Sequence, residues 1–188
     1  MREHRSRELA DRMGGSKQKE RGMIVVIFGV AGVGKTTIGK LLAGELGWKF
    51  YDADNFHPLA NIEKMKRGEP LTGRDRRPWL ERLRQRIEQS LSSHENAIVA
   101  CSALKKSYRD QLRINSEVKF VFLHAERDRV ARQLKDRPEH FFNLNLLDTQ
   151  FADLEEPESL EDALRIQVRG EPTELVREIK EEIGLQEN

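Results

Sequence analysis

The sequence has a single cysteine, Cys101. No intramolecular disulfide can form, and a Cys-rich zinc site is excluded. Such a chain suits a reducing compartment, so the expected setting is the cytoplasm. An excess of one charge is also missing. The 33 Lys and Arg residues stand against 32 Asp and Glu, a net charge of +1. A near-neutral chain gives no electrostatic case for a nucleic-acid or membrane partner. Met1 to Gly22 contains no apolar run, so it does not read as a secretory signal or a membrane span. Glu3, Glu8 and Asp11 interrupt its basic residues, which argues against a mitochondrial transit segment. Its charge density points to a solvated tail; a short helix faced by Leu9, Ala10 and Met13 is the alternative.

What remains is one domain's worth of chain, 188 residues with no internal repeat or low-complexity linker. We divide it into a tail, 1–22, and a single domain, 23–188. Met23 to Phe28 is a continuous β-branched and apolar run, the pattern of a strand buried on both faces of a parallel sheet. Lys35 to Leu46 carries Ile38, Leu41, Leu42 and Leu46 at helical spacing, and Gly47 ends it. Further strands are expected at Trp48–Tyr51, Ala97–Ala100, Val118–Leu123 and Ala163–Val168. Helices are expected at Pro58–Arg67, Arg76–Ser90, Lys105–Ile114, Arg129–Leu134, Leu146–Leu154 and Thr173–Ile183, with Pro78 in the first turn of its helix. Alternating strands and helices imply a parallel sheet covered on both faces, a three-layer α/β/α domain with five strands. Two helical insertions, at 57–92 and 132–145, leave from strand carboxyl ends, where ligands bind in such sheets.

The segment Gly29-Val30-Ala31-Gly32-Val33-Gly34-Lys35-Thr36 matches the P-loop pattern G-x-x-x-x-G-K-[ST]. Its glycines permit close backbone approach, so the loop N–H groups can face phosphates. The helix that follows presents its positive dipole end to the same charge. Lys35 is assigned to the β- and γ-phosphates and the Thr36 hydroxyl to Mg²⁺, with Thr37 next in the nucleotide site. A buried strand before the loop and an amphipathic helix after it separate this motif from a chance Gly-rich turn. The GTPase base-reading pattern Asn-Lys-x-Asp is missing. Together with the short chain, that favours a small-molecule kinase over a switch or a motor.

Asp52 and Asp54 follow the second strand on one side of an extended segment. Phosphoryl transfer needs one anion near Mg²⁺ and another to orient or deprotonate an acceptor hydroxyl. Asp-x-Asp alone is equally compatible with a polar loop. Several blocks then agree in order and spacing. They are Asp52-x-Asp54-x-x-His57-Pro58-x-x-Asn61-Ile62-x-Lys64-Met65-x-x-Gly68-x-Pro70-Leu71 and Asp75-Arg76-x-Pro78-Trp79-Leu80. Cys101-Ser102-Ala103-Leu104-Lys105-Lys106-x-Tyr108-Arg109-Asp110, His140-Phe141-Phe142 and Leu147-x-x-Gln150-Phe151-x-x-Leu154-Glu155-x-Pro157 complete the set. From about Ile24 to its C-terminus the chain resembles the gluconokinases, ATP-dependent D-gluconate kinases of the shikimate-kinase-like, adenylate-kinase-related P-loop fold.

That resemblance implies transfer of the ATP γ-phosphate to the 6-hydroxyl of D-gluconate, with Mg²⁺, in a homodimer. It implies Asp52 beside the metal and Asp54 as the carboxylate that accepts the hydroxyl proton. It makes His57, Lys64, Arg76, Ser102, Lys105, Arg109 and His140 candidates for the substrate. For His57 the alternative is a histidine packed in the turn before Pro58; for Lys64 and Arg76 it is a solvated helix face, and for Lys105 or Arg109 a basic helix N-terminal region. The second insertion becomes a lid, with Arg137 neutralising charge in transfer, and Gly170-Glu171-Pro172 flanks adenine. Cys101 reads as packing. The chain departs from the family pattern at Gly73, where an acidic residue is usual, at Gln133, where Arg is frequent, and at Asn143-Leu144. A neighbouring Arg132 is rotated by about 100° on a helix and is a poor replacement at Gln133. A kinase for another polyol or for shikimate, and a nucleotide-binding switch without catalysis, are the competing readings.

Overall fold

A computed structural model describes residues 22–135 and 144–185. Its five strands are β1 (Ile24–Phe28), β2 (Lys49–Asp52), β3 (Ala97–Cys101), β4 (Val118–His124) and β5 (Ala163–Gln167). They form one sheet in the order β2-β3-β1-β4-β5, and every pairing is parallel. The helices are α1 (Lys35–Leu46), α2 (Leu59–Lys66), α3 (Gly73–Ser92), α4 (Lys106–Leu112), α5 (Arg127–Lys135), α6 (Leu144–Asp153) and α7 (Pro172–Ile183). A short 3₁₀ turn, Ala53–Phe56, follows β2.

Alternation along the central strand builds the three layers. All five β1 residues are buried. Val25 and Ile27 face a core made with Ile38 and Leu42 of α1 and with Leu175, Val176 and Ile179 of α7. Ile24, Val26 and Phe28 face the opposite core, with Trp79, Leu80, Leu83 and Ile87 of α3. Each such side chain contributes roughly 1.5–3 kcal/mol on burial. The chain passes to one side of β1 for β2 and β3, then to the other for β4 and β5. Loops leaving the carboxyl ends of the strands diverge there and open a crevice, the usual ligand position in such sheets.

Several helices extend beyond the expected bounds, and α3 is the instructive case. It begins at Gly73, not Arg76, because Thr72 and Asp75 form a reciprocal capping box. Pro78 therefore lies inside the helix and not in its first turn. Proline has no N–H to donate to the Arg74 carbonyl, four residues back. Among the described residues, no helix is long and apolar enough to cross a membrane.

Candidate active site

The loop between β1 and α1 has the backbone its glycines were expected to provide. Gly29 has φ 144° and Gly34 has φ 110°, both in the region that side chains avoid. A Cβ at Gly29 would also stand 2.4 Å from the Leu123 carbonyl oxygen. Lys35 Nζ donates to the carbonyls of Gly29 at 3.0 Å and Val30 at 2.8 Å. Its ammonium is therefore folded over the loop.

The carboxylate at the end of β2 meets the start of α1 at Thr36. Thr36 Oγ1 donates to Asp52 Oδ2 at 3.3 Å. The other Asp52 oxygen accepts from the Asp54 backbone N–H at 3.1 Å, which caps the 3₁₀ turn. Asp54 is thus turned beside Asp52 by a local hydrogen bond. Desolvation, and then the neighbouring Asp52 charge, push its carboxyl above the ordinary aspartate value, while Lys35 pulls the other way. A cavity of about 370 Å³ opens here, lined by Asp52, Asp54 and Lys40 among others.

His57 is buried and stacked on Trp79, with ring centroids 4.7 Å apart and planes 8° from parallel. Trp79 Nε1 in turn donates to the Ala53 carbonyl at 2.7 Å. Asn61 Nδ2 bonds both His57 Nδ1, at 3.2 Å, and the Asp75 carbonyl, at 2.8 Å. An amide NH₂ group only donates, so His57 Nδ1 accepts and the ring proton sits on Nε2. Burial, helped by the Arg76 charge, lowers the His57 pKa to about 4. His57 is therefore a neutral N–H donor at physiological pH. Arg76 is half-buried and has no carboxylate partner among the described residues.

Other basic candidates are engaged. Lys64 Nζ lies 2.8 Å from Asp75 Oδ1, on the carboxylate that caps α3. This contact, followed by the Thr72 hydrogen bonds, holds the Asp75 carboxyl well below the usual range. Lys105 lies 3.5 Å from Asp153. Arg109 is a correction. Its side chain is fully buried, with Nε and Nη2 on Glu161 at 2.8 and 2.9 Å. Nη1 holds the Ala103 and Leu104 carbonyls at 3.1 and 3.0 Å. Its guanidinium packs over Phe28 and cannot reach a substrate. It braces the loop after β3, where Ala103 is held at φ 36°. Ser102 lies in that loop, and its carbonyl accepts from Gly29 N–H at 3.3 Å. Cys101 is buried, its thiol pushed up to about 12 by desolvation, as packing requires. Arg137, His140 and Asn143 lie outside the described residues.

Arg129 escaped the sequence reading of the nucleotide side, and Gln133 entered it only as a departure from the family pattern. A cavity of about 400 Å³ is lined by Gly32 to Gly34, Thr37, Gly170 to Pro172, Arg129 and Gln133. Arg129 Nε and Gln133 Oε1 are buried there without hydrogen-bond partners among the described residues. Their four-residue spacing on a helix leaving β4 was the available signal. Arg132 is exposed, so it does not stand in for Gln133. Pro172 is the first residue of α7 and forms the far wall.

The shikimate kinase family model matches residues 31–183. A probable gluconokinase of Xenopus tropicalis is 40% identical over 177 residues, 86% of this chain and 93% of that protein. The chain belongs to the gluconokinase family. It is an ATP-dependent kinase of the shikimate-kinase-like P-loop fold. Two further family members agree. The thermosensitive gluconokinase of Escherichia coli K12 is 41% identical over 149 residues, 78% of this chain and 80% of that one. A crystal structure of a gluconokinase from Sinorhizobium meliloti 1021 superposes with a TM-score of 0.76 at 38% identity, covering 90% of this chain and 99% of that one.

Proposed function

We propose that this family member transfers the γ-phosphate of ATP to the 6-hydroxyl of D-gluconate, giving 6-phospho-D-gluconate and ADP. The observation that carries the reading is the Asp52–Asp54 pair beside Thr36 and Lys35, with Arg76, near His57, lacking a carboxylate partner among the described residues. Mg²⁺ fits the hard oxygens at hand. Thr36 Oγ1 and Asp52 would hold it, with the remaining positions left to phosphate oxygens and water. Bound there, the ion neutralises charge on the phosphates. Among the described residues no group of three His, Cys, Asp or Glu could hold a metal unaided.

The remaining roles belong to the protein. The N–H groups of Gly32 and of Gly34 to Thr37 cradle the phosphates and Lys35 neutralises them. Asp54 accepts the proton of the acceptor hydroxyl; its raised pKa brings it nearer the working pH, which suits a general base. His57 Nε2–H donates to a sugar hydroxyl, and Arg76 binds the sugar carboxylate with its planar fork. Ser102 and Lys105 border the acceptor, while Arg137 and His140 act from the second insertion. Pro172, Arg129 and Gln133 hold the base. A homodimer and a cytoplasmic setting complete the proposal, supported by the family resemblance and the lone buried cysteine.

The decisive experiment offers Mg-ATP with D-gluconate, other sugar acids, polyols and shikimate, and follows ADP. Gluconate-dependent turnover is expected. Turnover only with another acceptor would sink the assignment.

A further inference from the structure

One residue touches the phosphate loop without any role above. Gln150 lies on α6, and its Oε1 accepts from the Ala31 backbone N–H at 2.6 Å. That N–H shares a peptide unit with the Val30 carbonyl, which Lys35 Nζ holds at 2.8 Å. In a trans peptide the two groups point in opposite directions. Lysine and glutamine therefore grip one peptide plane of the loop from its two sides.

The helix that carries Gln150 is anchored at both ends of the active site. Leu147, one turn earlier, is fully buried in a core with Val30, Val33 and Leu134, and Phe151 packs on the same core. Beyond the helix, Glu155 N–H donates to the Leu104 carbonyl at 2.9 Å. The Glu155 carboxylate accepts from Lys106 N–H at 2.6 Å. These bonds fasten the chain to the loop after β3. A flexible glutamine side chain is thereby held in one place.

A carboxamide has an acceptor oxygen and a separate NH₂ donor. Ala31 uses the oxygen. Gln150 Nε2 has no hydrogen-bond partner among the described residues. Gln150 is half-buried, and its carboxamide sits on a loop built to receive phosphate oxygens, at the peptide that Lys35 holds from the other edge. Lys35 is the residue of this motif that reaches the terminal phosphates. We propose that Gln150 binds the γ-phosphate: its oxygen fixes the Ala31 peptide, and its NH₂ group donates to a terminal phosphate oxygen of the bound triphosphate. A neutral amide suits both tasks, where a carboxylate would accept from Ala31 but repel the phosphate.

This inference rests on the nucleotide half of the proposed function and not on the acceptor, so the test omits the acceptor. Affinities for Mg-ADP and for a non-hydrolysable Mg-ATP analogue are measured by calorimetry on the full chain, its Gln150→Ala variant and its Gln150→Glu variant. The melting temperature of each nucleotide-free protein is taken alongside. Gln150→Ala should weaken the triphosphate analogue roughly tenfold or more, the worth of one hydrogen bond to a charged group, and leave ADP within about threefold. Gln150→Glu keeps an acceptor for Ala31, so its melting temperature should hold while the analogue binds still more weakly. Equal losses for both nucleotides, or a glutamate variant that binds the analogue normally, overturn the proposal. Wild-type protein that binds the analogue yet never turns over gluconate overturns only the acceptor assignment.

Discussion

The two halves of the site are built by different means. On the nucleotide side the backbone does the shaping. Gly29 and Gly34 adopt angles few other residues tolerate, and the proposed phosphate ligands are peptide N–H groups. On the acceptor side, apart from Ala103 at φ 36°, side chains position one another. Thr72 caps α3 with Asp75, Asp75 holds Lys64, Asn61 ties the Asp75 carbonyl to His57, and His57 stacks on Trp79. A backbone site is set by a few consecutive residues. A side-chain relay depends on groups that meet only after folding, so the basic residues near it are bracing in some cases and free in others.

The sharpest way to probe that contrast is to remove chemistry without disturbing the relay. Asp54→Asn should lower kcat by about 10²- to 10⁴-fold with little change in melting temperature, as for loss of a general base. Near-normal turnover would take Asp54 out of that role. In the parent protein the raised Asp54 pKa moves the acid limb of the kcat/KM profile upward. Activity falls as pH drops through that value, because only the ionised carboxylate accepts a proton.

Next in size is the buried brace. Arg109→Met leaves Glu161 unpaired in the interior and should cost about 3–5 kcal/mol in denaturant unfolding. If the variant is as stable as its parent and instead raises KM for gluconate, Arg109 belongs to the substrate after all.

The relay itself is tested by Asn61→Ala. His57 Nδ1 and the Asp75 carbonyl lose their donor, a loss of about 1–3 kcal/mol in stability. The imidazole is no longer held as the Nε2–H form, so KM for gluconate should rise. His57 also makes a pH signature. Its folded pKa of about 4 lies below the ordinary value of 6.5. The stability it contributes is complete above pH 6.5 and is lost as pH falls towards 4. Replacing His57 with Phe should flatten the melting temperature over that window.

The smallest effect is expected at Lys64. Paired with a half-exposed cap carboxylate, Lys64→Met should cost about 1 kcal/mol or less and leave KM for gluconate within about threefold. A tenfold rise in KM would mean that the lysine leaves Asp75 for the sugar carboxylate, and the two halves would then differ less than described.

Much of this was legible in order along the chain. The β-branched run before Gly29 and the apolar spacing after Lys35 already specified strand, loop and helix. The start of α3 was missed because Thr72 and Asp75 cap it reciprocally, a signal weaker than the apolar period that begins later. Lys64 and Arg109 were grouped with Arg76 because cationic side chains near a strand end look alike in sequence. Burial and the positions of Asp75 and Glu161 separate them, and those carboxylates are 11 and 52 residues away.

The sequence by itself determined the phosphate loop, the parallel α/β order and the family, because each rests on local spacing and on backbone freedom at particular residues. Only the tertiary structure decided which cations are held by carboxylates, which tautomer His57 holds, and that Gln150 reaches Ala31 across 119 positions of chain. Those outcomes depend on desolvation and on partners brought together by the sheet, which no local pattern encodes.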